Sequence, residues 1–166
     1  MTTDQHIDAL LQGTWVDSHA GEVCHVPIDE IIIETDLLKK VIEYIAKLEC
    51  GSHYVLVCDE NTYQVAGAAV EKVLDNALVV TLPKGAVANS DYVQLIEDEI
   101  GDCDLVIAVG SGTINDLCKY ASFRCGKPYI VIPTAPSMNG YCSANASITV
   151  NGHKKTLPAQ LPKAVY

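Results

Sequence analysis

The stretch Leu105-Val-Ile-Ala-Val-Gly-Ser-Gly-Thr-Ile-Asn-Asp116 decides how the rest of the sequence is interpreted. It opens with a continuous apolar run, which is typical of a strand covered on both faces of its sheet. Two glycines then lead into a helical pattern that continues to about residue 124. A strand, a glycine turn and a helix in this order predict one βα unit of a parallel sheet.

The same alternation extends to both sides of this stretch. Short apolar strand patterns, separated by helical ones, lie at 31–33, 54–57, 78–82, 105–109 and 129–132. Thr35 or Asp36 is placed to cap the helix that follows the first strand, and Gly51 is placed to end it. We therefore predict an α/β fold, a Rossmann-like parallel sheet flanked by helices, over residues 30–132.

The pattern changes after Pro133, where small and polar residues predict a loop. Residues 147–150 and 155–157 flank Asn151-Gly152, and this pair supplies the positive φ values that a two-residue hairpin turn needs. Residues 163–166 have the pattern of a strand that is just beginning. The chain from 1 to 166 is thus predicted to form a single domain that contains one sheet and one hairpin.

Composition narrows the classes of function. A content of 49% hydrophobic and 19% charged residues is ordinary for a globular domain. The formal net charge of −10 would repel nucleic-acid phosphates and anionic lipid surfaces, so neither nucleic acid nor membrane is an expected partner. Because the sequence contains neither a long apolar segment nor a signal-peptide pattern, we expect a cytoplasmic protein.

Cysteines and histidines do not form a recognisable metal motif. The seven cysteines include no Cys-x-x-Cys pair, and the five histidines include no His-x-x-x-His. Several cysteines fall inside apolar patterns, where a reduced thiol behaves as a small hydrophobe. We predict no metal site and no catalytic residue within this chain.

The glycine turn is the strongest candidate for a binding site. Gly110 and Gly112 would let backbone N–H groups approach an anion, and the start of the helix adds a partial positive charge, so a pyrophosphate suits the turn. A Cβ at Gly112 is expected to push the phosphate outward, and it would also be strained if the turn holds a positive φ. Asn115 replaces the third glycine of a standard Rossmann motif. The alternative is a tight turn that merely needs small residues.

Two further segments would project from the same edge of the sheet. Asp59 ends a strand, where its carboxylate can accept two hydrogen bonds from ribose hydroxyls. Its alternative role is to cap the next helix, with Asn61 as a competitor for that role. The stretch from Pro133 to Gly140 also follows a strand, but by itself it could be only a turn-rich loop.

Taken in order, these motifs resemble a known family. The segments that carry the likeness are Gly110–Asp116, Lys119–Ala121, Pro133–Ser137, Gly140, Ser143 and Lys154–Leu157. They are similar to the N-terminal nucleotide-binding domain of sn-glycerol-1-phosphate dehydrogenases. These enzymes belong to the superfamily of iron-containing alcohol dehydrogenases, glycerol dehydrogenases and 3-dehydroquinate synthases. The likeness covers nearly the whole chain and implies the dehydroquinate synthase-like fold.

The resemblance also implies roles for individual residues. The implied cofactor-binding residues are Asp59, Gly110, Ser111, Gly112, Thr113, Ile114, Asn115, Asp116, Thr134, Ser137 and Ser143. Asp59 would hold the adenosine ribose, the turn and the helix start would hold the pyrophosphate, and the three hydroxyl residues would line the path to the nicotinamide. Asn139 would contact substrate, although the family usually has Asp there. That difference leaves the identity of the substrate open.

The implied activity is an oxidation of a glycerol phosphate or related polyol that uses NAD or NADP. A divalent metal (Zn, Ni or Fe) would be bound by one Asp and two His of a helical C-terminal domain that is absent from this sequence. The chain alone is therefore expected to be inactive. A 3-dehydroquinate synthase-like lyase and a non-catalytic dinucleotide-binding module are the alternatives, and self-association into a homo-oligomer stays open.

Overall fold

The computed structural model describes residues 2–75 and 77–166. Its strands are β1 (Trp15–Val16), β2 (Val23–Cys24), β3 (Glu30–Ile31), β4 (Tyr54–Asp59), β5 (Leu78–Leu82), β6 (Leu105–Gly110), β7 (Tyr129–Pro133), β8 (Asn145–Val150), β9 (His153–Pro158) and β10 (Ala164–Val165). Its helices are α1 (Thr3–Leu11), α2 (Val41–Lys47), α3 (Glu60–Thr62), α4 (Ala68–Val73), α5 (Ser90–Ile100) and α6 (Gly112–Cys125). A 3-10 turn at Leu37–Lys39 precedes α2, and a π-helical turn at Tyr63–Gly67 joins α3 to α4.

The central sheet confirms the predicted α/β fold. Six strands run parallel in the order β3-β10-β7-β6-β4-β5 within the described residues. The glycine turn therefore follows a strand that lies between β7 and β4: Gly110 pairs with Pro133, and Ala108 pairs with Val57. Parallel strands joined by helices place all their carboxyl ends at one edge, where α/β proteins bind ligands.

Apolar side chains cover both faces of the sheet. Val55 and Val57 of β4 belong to one core cluster, which α5 and α6 complete. Leu56 and Cys58 alternate with them and belong to the other cluster, which α2 and α4 complete. All six residues of β6 are buried, as the continuous apolar run predicted. Burial of each large side chain contributes about 1.5–3 kcal/mol, so this strand fixes the position of the turn that follows it.

Three local predictions before β4 were wrong. Only Glu30 and Ile31 pair with β10, so the strand expected at 31–33 ends early and Ile33 is exposed. Asp36 does not cap a helix: it adopts φ 58, and its carboxylate lies 2.9 Å from the ammonium of Lys39. The helix also ends before Gly51, because α2 stops at Lys47 and Glu49 takes the left-handed conformation.

The two ends of the chain add features outside the main repeat. A helix, α1, begins with a capping box between Thr2 and Gln5 where sequence patterns indicated only a polar segment. The predicted hairpin is confirmed as β8 and β9, with φ 51 at Asn151 and φ 76 at Gly152. The predicted last strand is β10, which lies inside the sheet between β3 and β7.

Two further observations concern the state of the cysteines and the length and polarity of the helices. Each of the seven cysteines, all of which lie in the described part of the chain, is a free thiol. Across residues 2–75 and 77–166, the helices are too short or too polar to span a lipid bilayer.

Candidate functional site

Three of the segments singled out in the sequence meet at the carboxyl edge of the sheet. Asp59 ends β4, Gly110 ends β6 and Thr134 follows β7, and these strands are neighbours. The amide of Thr134 donates to the carbonyl of Gly110 at 3.2 Å, so the second loop starts directly beside the glycine turn. The fold thus brings together residues that are 75 positions apart in the sequence.

The two glycine positions of the turn differ in how much space surrounds them. A Cβ at Gly110 would lie 2.7 Å from Cβ of Ile114 and 2.8 Å from its Cγ1, so close packing excludes a side chain there. A Cβ at Gly112 would meet only Cγ of Met138, at an ordinary 3.5 Å. Gly112 is also not among the positive-φ residues, which removes the strain considered above. Nothing within the described fold requires a glycine at position 112.

The start of α6 is open to an anion. Ser111 is the N-cap residue, yet its hydroxyl makes no capping hydrogen bond, whereas Asn89 caps α5 by accepting from the amide of Tyr92 at 2.9 Å. A helix leaves its first N–H groups without intrahelical partners, and its dipole favours negative charge at that end. Helix α6 extends over 14 residues, and the N–H groups of its first turn therefore remain as donors for a ligand.

The side chains that follow Gly112 do not all face a ligand. Thr113 lines the cleft described below, whereas Ile114 is buried in the core and can offer only its backbone N–H. Asn115 is completely buried, and no partner for its Oδ1 is found among the described residues. The carboxylate of Asp116 points to the hairpin, where its Oδ2 accepts from the amide of Ser147 at 3.1 Å.

A cleft of ≈ 380 Å³ lies between the start of α6 and the hairpin. Its lining residues come from four segments: Val87, Ala88, Gly112, Thr113, Asp116, Ser147, Thr149 and Lys154. Lys154 adds a cationic side chain opposite the glycine turn. The hairpin residues were not among the predicted site residues, although β8 alternates buried Ala146 and Ile148 with Ser147 and Thr149. That period of two was the signal that could have identified the two hydroxyls.

The electrostatics of this cleft are governed by burial. Burial raises the pKa of Asp116, while the Ser147 amide and the ammonium groups of Lys119 and Lys154 act in the opposite direction. The cleft combines helix N–H groups, the hydroxyls of Thr113, Ser147 and Thr149, and one cation around its single acid.

The second loop lies beside the cleft and does not line it. Ser137 and Asn139 are exposed, and Thr134 is half-buried. The hydroxyl of Ser143 accepts from the amide of Asn145 at 3.2 Å, so it takes part in the folding of the loop itself. The structure therefore places these four residues, which the resemblance assigned to cofactor and substrate, on a neighbouring rim.

Asp59 takes the capping role that the sequence left open. Its Oδ1 accepts from the amides of Asn61 at 2.9 Å and Thr62 at 2.8 Å, and the hydroxyl of Thr62 accepts from the Asp59 amide. Both capping bonds use the same carboxylate oxygen. Within the described residues Oδ2 remains available, so capping and ribose binding are compatible.

Metal binding has no structural counterpart in the described residues. Across 2–75 and 77–166, no three side chains of His, Cys, Asp or Glu come close enough together to hold a metal ion.

Comparisons with known proteins give this geometry a context. The family model described as iron-containing alcohol dehydrogenase matches residues 32–166. Glycerol-1-phosphate dehydrogenase [NAD(P)+] of Bacillus velezensis is 33% identical over 159 residues, which are 90% of this chain and 40% of that protein. The enzyme of the same name from Pyrococcus furiosus is 36% identical over 138 residues, 82% of this chain and 40% of that protein. The chain thus spans about two fifths of the length of these curated relatives.

Solved structures show the same fold. An iron-containing alcohol dehydrogenase from Thermotoga maritima superposes with a TM-score of 0.71 at 16% identity, covering 85% of this chain and 46% of that one. Sulfoacetaldehyde reductase from Bifidobacterium kashiwanohense, solved in complex with NAD+, gives 0.72 at 17% identity and covers 84% of this chain and 44% of that one. At these identities the likeness establishes the fold alone.

Proposed function

The chain belongs to the iron-containing alcohol dehydrogenase family, and we propose that it forms the NAD(P)-binding domain of a dehydrogenase acting on a glycerol phosphate or a related polyol. The observation that carries this proposal is Gly112. It stands at the uncapped start of α6, and neither its backbone conformation nor its packing requires a glycine. A backbone that must approach a phosphate closely supplies the missing reason.

Each part of the site has a task in holding the dinucleotide. The N–H groups of the first turn of α6 would bind the pyrophosphate, and Lys154 would offset its charge from the hairpin side. Asp59 would accept from the adenosine ribose through Oδ2 while Oδ1 caps α3. When bound, NAD(P) would exchange a hydride with the alcohol carbon of the substrate.

The substrate would approach from the second loop. Asn139 is exposed on that loop, beside Gly140, and its amide can both donate and accept hydrogen bonds to a hydroxyl or phosphate oxygen. The relatives compared above are named for glycerol 1-phosphate, which favours a phosphorylated three-carbon substrate over an unphosphorylated polyol. The same names favour a dehydrogenase over a 3-dehydroquinate synthase-like lyase.

A catalytic metal would be bound outside residues 1–166. The described residues offer no cluster of His, Cys, Asp or Glu side chains that fits such an ion. The isolated chain is accordingly proposed to bind dinucleotide weakly without turning over substrate.

The proposal is tested with the full-length protein that contains this chain. Reduction of dihydroxyacetone phosphate, dihydroxyacetone and glyceraldehyde would be followed by loss of NADH or NADPH absorbance. We expect kcat/KM for dihydroxyacetone phosphate to exceed that for the unphosphorylated ketone by at least about tenfold, roughly 1.4 kcal/mol of transition-state stabilisation. Absence of turnover with every carbonyl, despite dinucleotide binding, would contradict the dehydrogenase assignment.

The cofactor preference is tested with Asp59→Asn, because Asn keeps the capping oxygen and removes the charge. A carboxylate beside the ribose disfavours a 2′-phosphate, so the ratio of NADPH to NADH affinity should rise in the variant. An unchanged ratio would leave Asp59 with the capping role alone.

A further inference from the structure

We propose that Asp116 and Lys119, one turn apart on α6, are positioning residues that fix the second loop, residues 134–144, in register with the glycine turn. The inference rests on the proposed function, because it assigns the pair a role in presenting substrate at the same site. Neither side chain is proposed to touch the substrate. Their effect would be to hold Asn139 at a constant place relative to the cofactor.

Lys119 connects the helix to the far end of the loop. Its side chain is completely buried, and its ammonium donates to the carbonyls of Gly140 at 2.8 Å and Asn145 at 3.1 Å. Gly140 directly follows Asn139, and Asn145 is the first residue of β8. The ammonium therefore links Gly140, within the loop, to Asn145, where the chain enters the hairpin.

Asp116 completes the connection from the preceding turn of the helix. Its Oδ1 lies 3.9 Å from the Lys119 ammonium, and its Oδ2 accepts from the Ser147 amide. Two side chains of α6 thus bind three backbone groups of the loop and of β8. The same helix begins at the glycine turn, so the phosphate side and the substrate side of the site share one rigid element.

The loop also comes close to the glycine turn at Met138. Met138 lies next to Asn139, and its Cγ is the atom that a Cβ at Gly112 would approach, at 3.5 Å. Its sulfur accepts from the amide of Gly140, the residue whose carbonyl Lys119 binds. A shift of the loop would therefore change the distance between Met138 and the turn.

The use of two buried charges, on Asp116 and Lys119, indicates that this connection is selected to fix the position of the loop along α6. Burial lowers the pKa of Lys119 and raises that of Asp116, so each charge carries a desolvation cost that their mutual attraction offsets only in part. Apolar side chains would fill the same space without that cost. The two carbonyls and the amide can all hydrogen-bond to the charged pair in only one position of the loop. Apolar packing, in contrast, tolerates a shift of the loop along the helix.

The test compares Lys119→Met with wild type in the full-length protein. Dinucleotide Kd by NADH fluorescence should stay within about threefold, because the turn is untouched. The KM for dihydroxyacetone phosphate should rise at least about tenfold, and hydrogen exchange should increase in the loop but not in the first turn of α6. Lys119→Arg keeps the charge and donors and should recover part of the loss. Lys72→Met, which removes an exposed lysine of α4, is the matched control and should change none of these values.

The outcomes separate the possible failures. A substrate KM within about twofold of wild type, or a parallel loss of dinucleotide affinity, would overturn the positioning role. If Lys119→Met does not fold, Lys119→Gln replaces it, because its amide can still donate to a loop carbonyl, and it should show the same split with a smaller rise in KM. If wild type lacks turnover, the proposed function fails. Unaltered hydrogen exchange in the loop of Lys119→Met would then be the result that overturns the positioning role of the pair.

Discussion

The two edges of the central sheet use glycine in opposite ways. At the amino edge, Gly51 has φ +85, and a Cβ there would lie 2.3 Å from Oδ2 of Asp104. At the carboxyl edge, Gly112 has no positive φ, and a Cβ would come no closer than 3.5 Å to Met138. The fold accounts completely for the first glycine and does not account for the second.

This difference separates structural from functional positions. Around Gly51, Oδ2 of Asp104 accepts from the amides of Ser52 and His53, both at 2.9 Å, so these amides have partners within the chain. Around Gly112, the helix start lacks a side-chain cap and a cleft lies beside it. Donors without intrahelical partners and a glycine without a conformational reason support the proposal that a ligand approaches this position.

The largest effect should come from Gly51→Ala. The methyl group would meet Asp104 and the backbone would be held in the left-handed region, so the free energy of unfolding should fall by about 3 kcal/mol. Gly126→Ala is the matched control, because Gly126 has φ +64 and no atom within 4 Å of its Cβ position. It should cost only about 1 kcal/mol. Equal losses in urea denaturation would show that the contact with Asp104 adds nothing.

A smaller loss is expected for Gly110→Ala. Its Cβ would press on Ile114, and overpacking of this kind typically costs about 2 kcal/mol. Combining Gly110→Ala with Ile114→Ala should cost less than the sum of the two single substitutions, because Ile114→Ala removes Cγ1 and Cγ2, two of the three atoms that the new methyl group would meet. Thermal unfolding of both single variants and of the double variant measures this. A Gly110→Ala protein as stable as wild type would mean that the turn relaxes freely and that its glycine also needs an external reason.

The amino edge should also respond to acid. The amides of His53 and Ser52 hold the pKa of Asp104 below its usual value, with a smaller contribution from the His53 ring. A depressed carboxyl pKa stabilises the fold above the unfolded-state pKa, and this stabilisation is lost as pH falls through the folded-state value. The Tm difference between wild type and Asp104→Asn should therefore be largest at neutral pH and shrink below about pH 4. A difference independent of pH would contradict the role of the charge, and Asp102→Asn serves as the exposed control.

The sequence was most informative where burial decides the structure. The run from Leu105 to Val109 predicted its strand because both faces are covered, and Asn151-Gly152 predicted its turn because the φ values are intrinsic to these residues. Asp36 was predicted wrongly because it adopts φ 58, and its side chain makes no capping hydrogen bond in that conformation. The path by which the chain enters the helix depends on tertiary packing that a local pattern does not contain.

The candidate site was predictable in part for the same reason. The glycine turn and the strand end at Asp59 follow from local order and from the rule that parallel strands share an edge. The contribution of Lys154 to the cleft and the hydrogen bonds of Lys119 depend on how the hairpin packs against α6, which is a contact between distant segments. Local periodicity does not encode that packing.

We propose that position 112 is a glycine because a dinucleotide phosphate approaches it, and a cofactor titration tests this proposal. Full-length wild type and Gly112→Ala would each be titrated with NADH and with NADPH by fluorescence. We expect the Kd of the variant to rise at least about tenfold, which is roughly 1.4 kcal/mol. Its free energy of unfolding should change by less than about 1 kcal/mol, because alanine fits the backbone there. Unchanged affinity for both cofactors would contradict the claim and leave the glycine turn as a turn only.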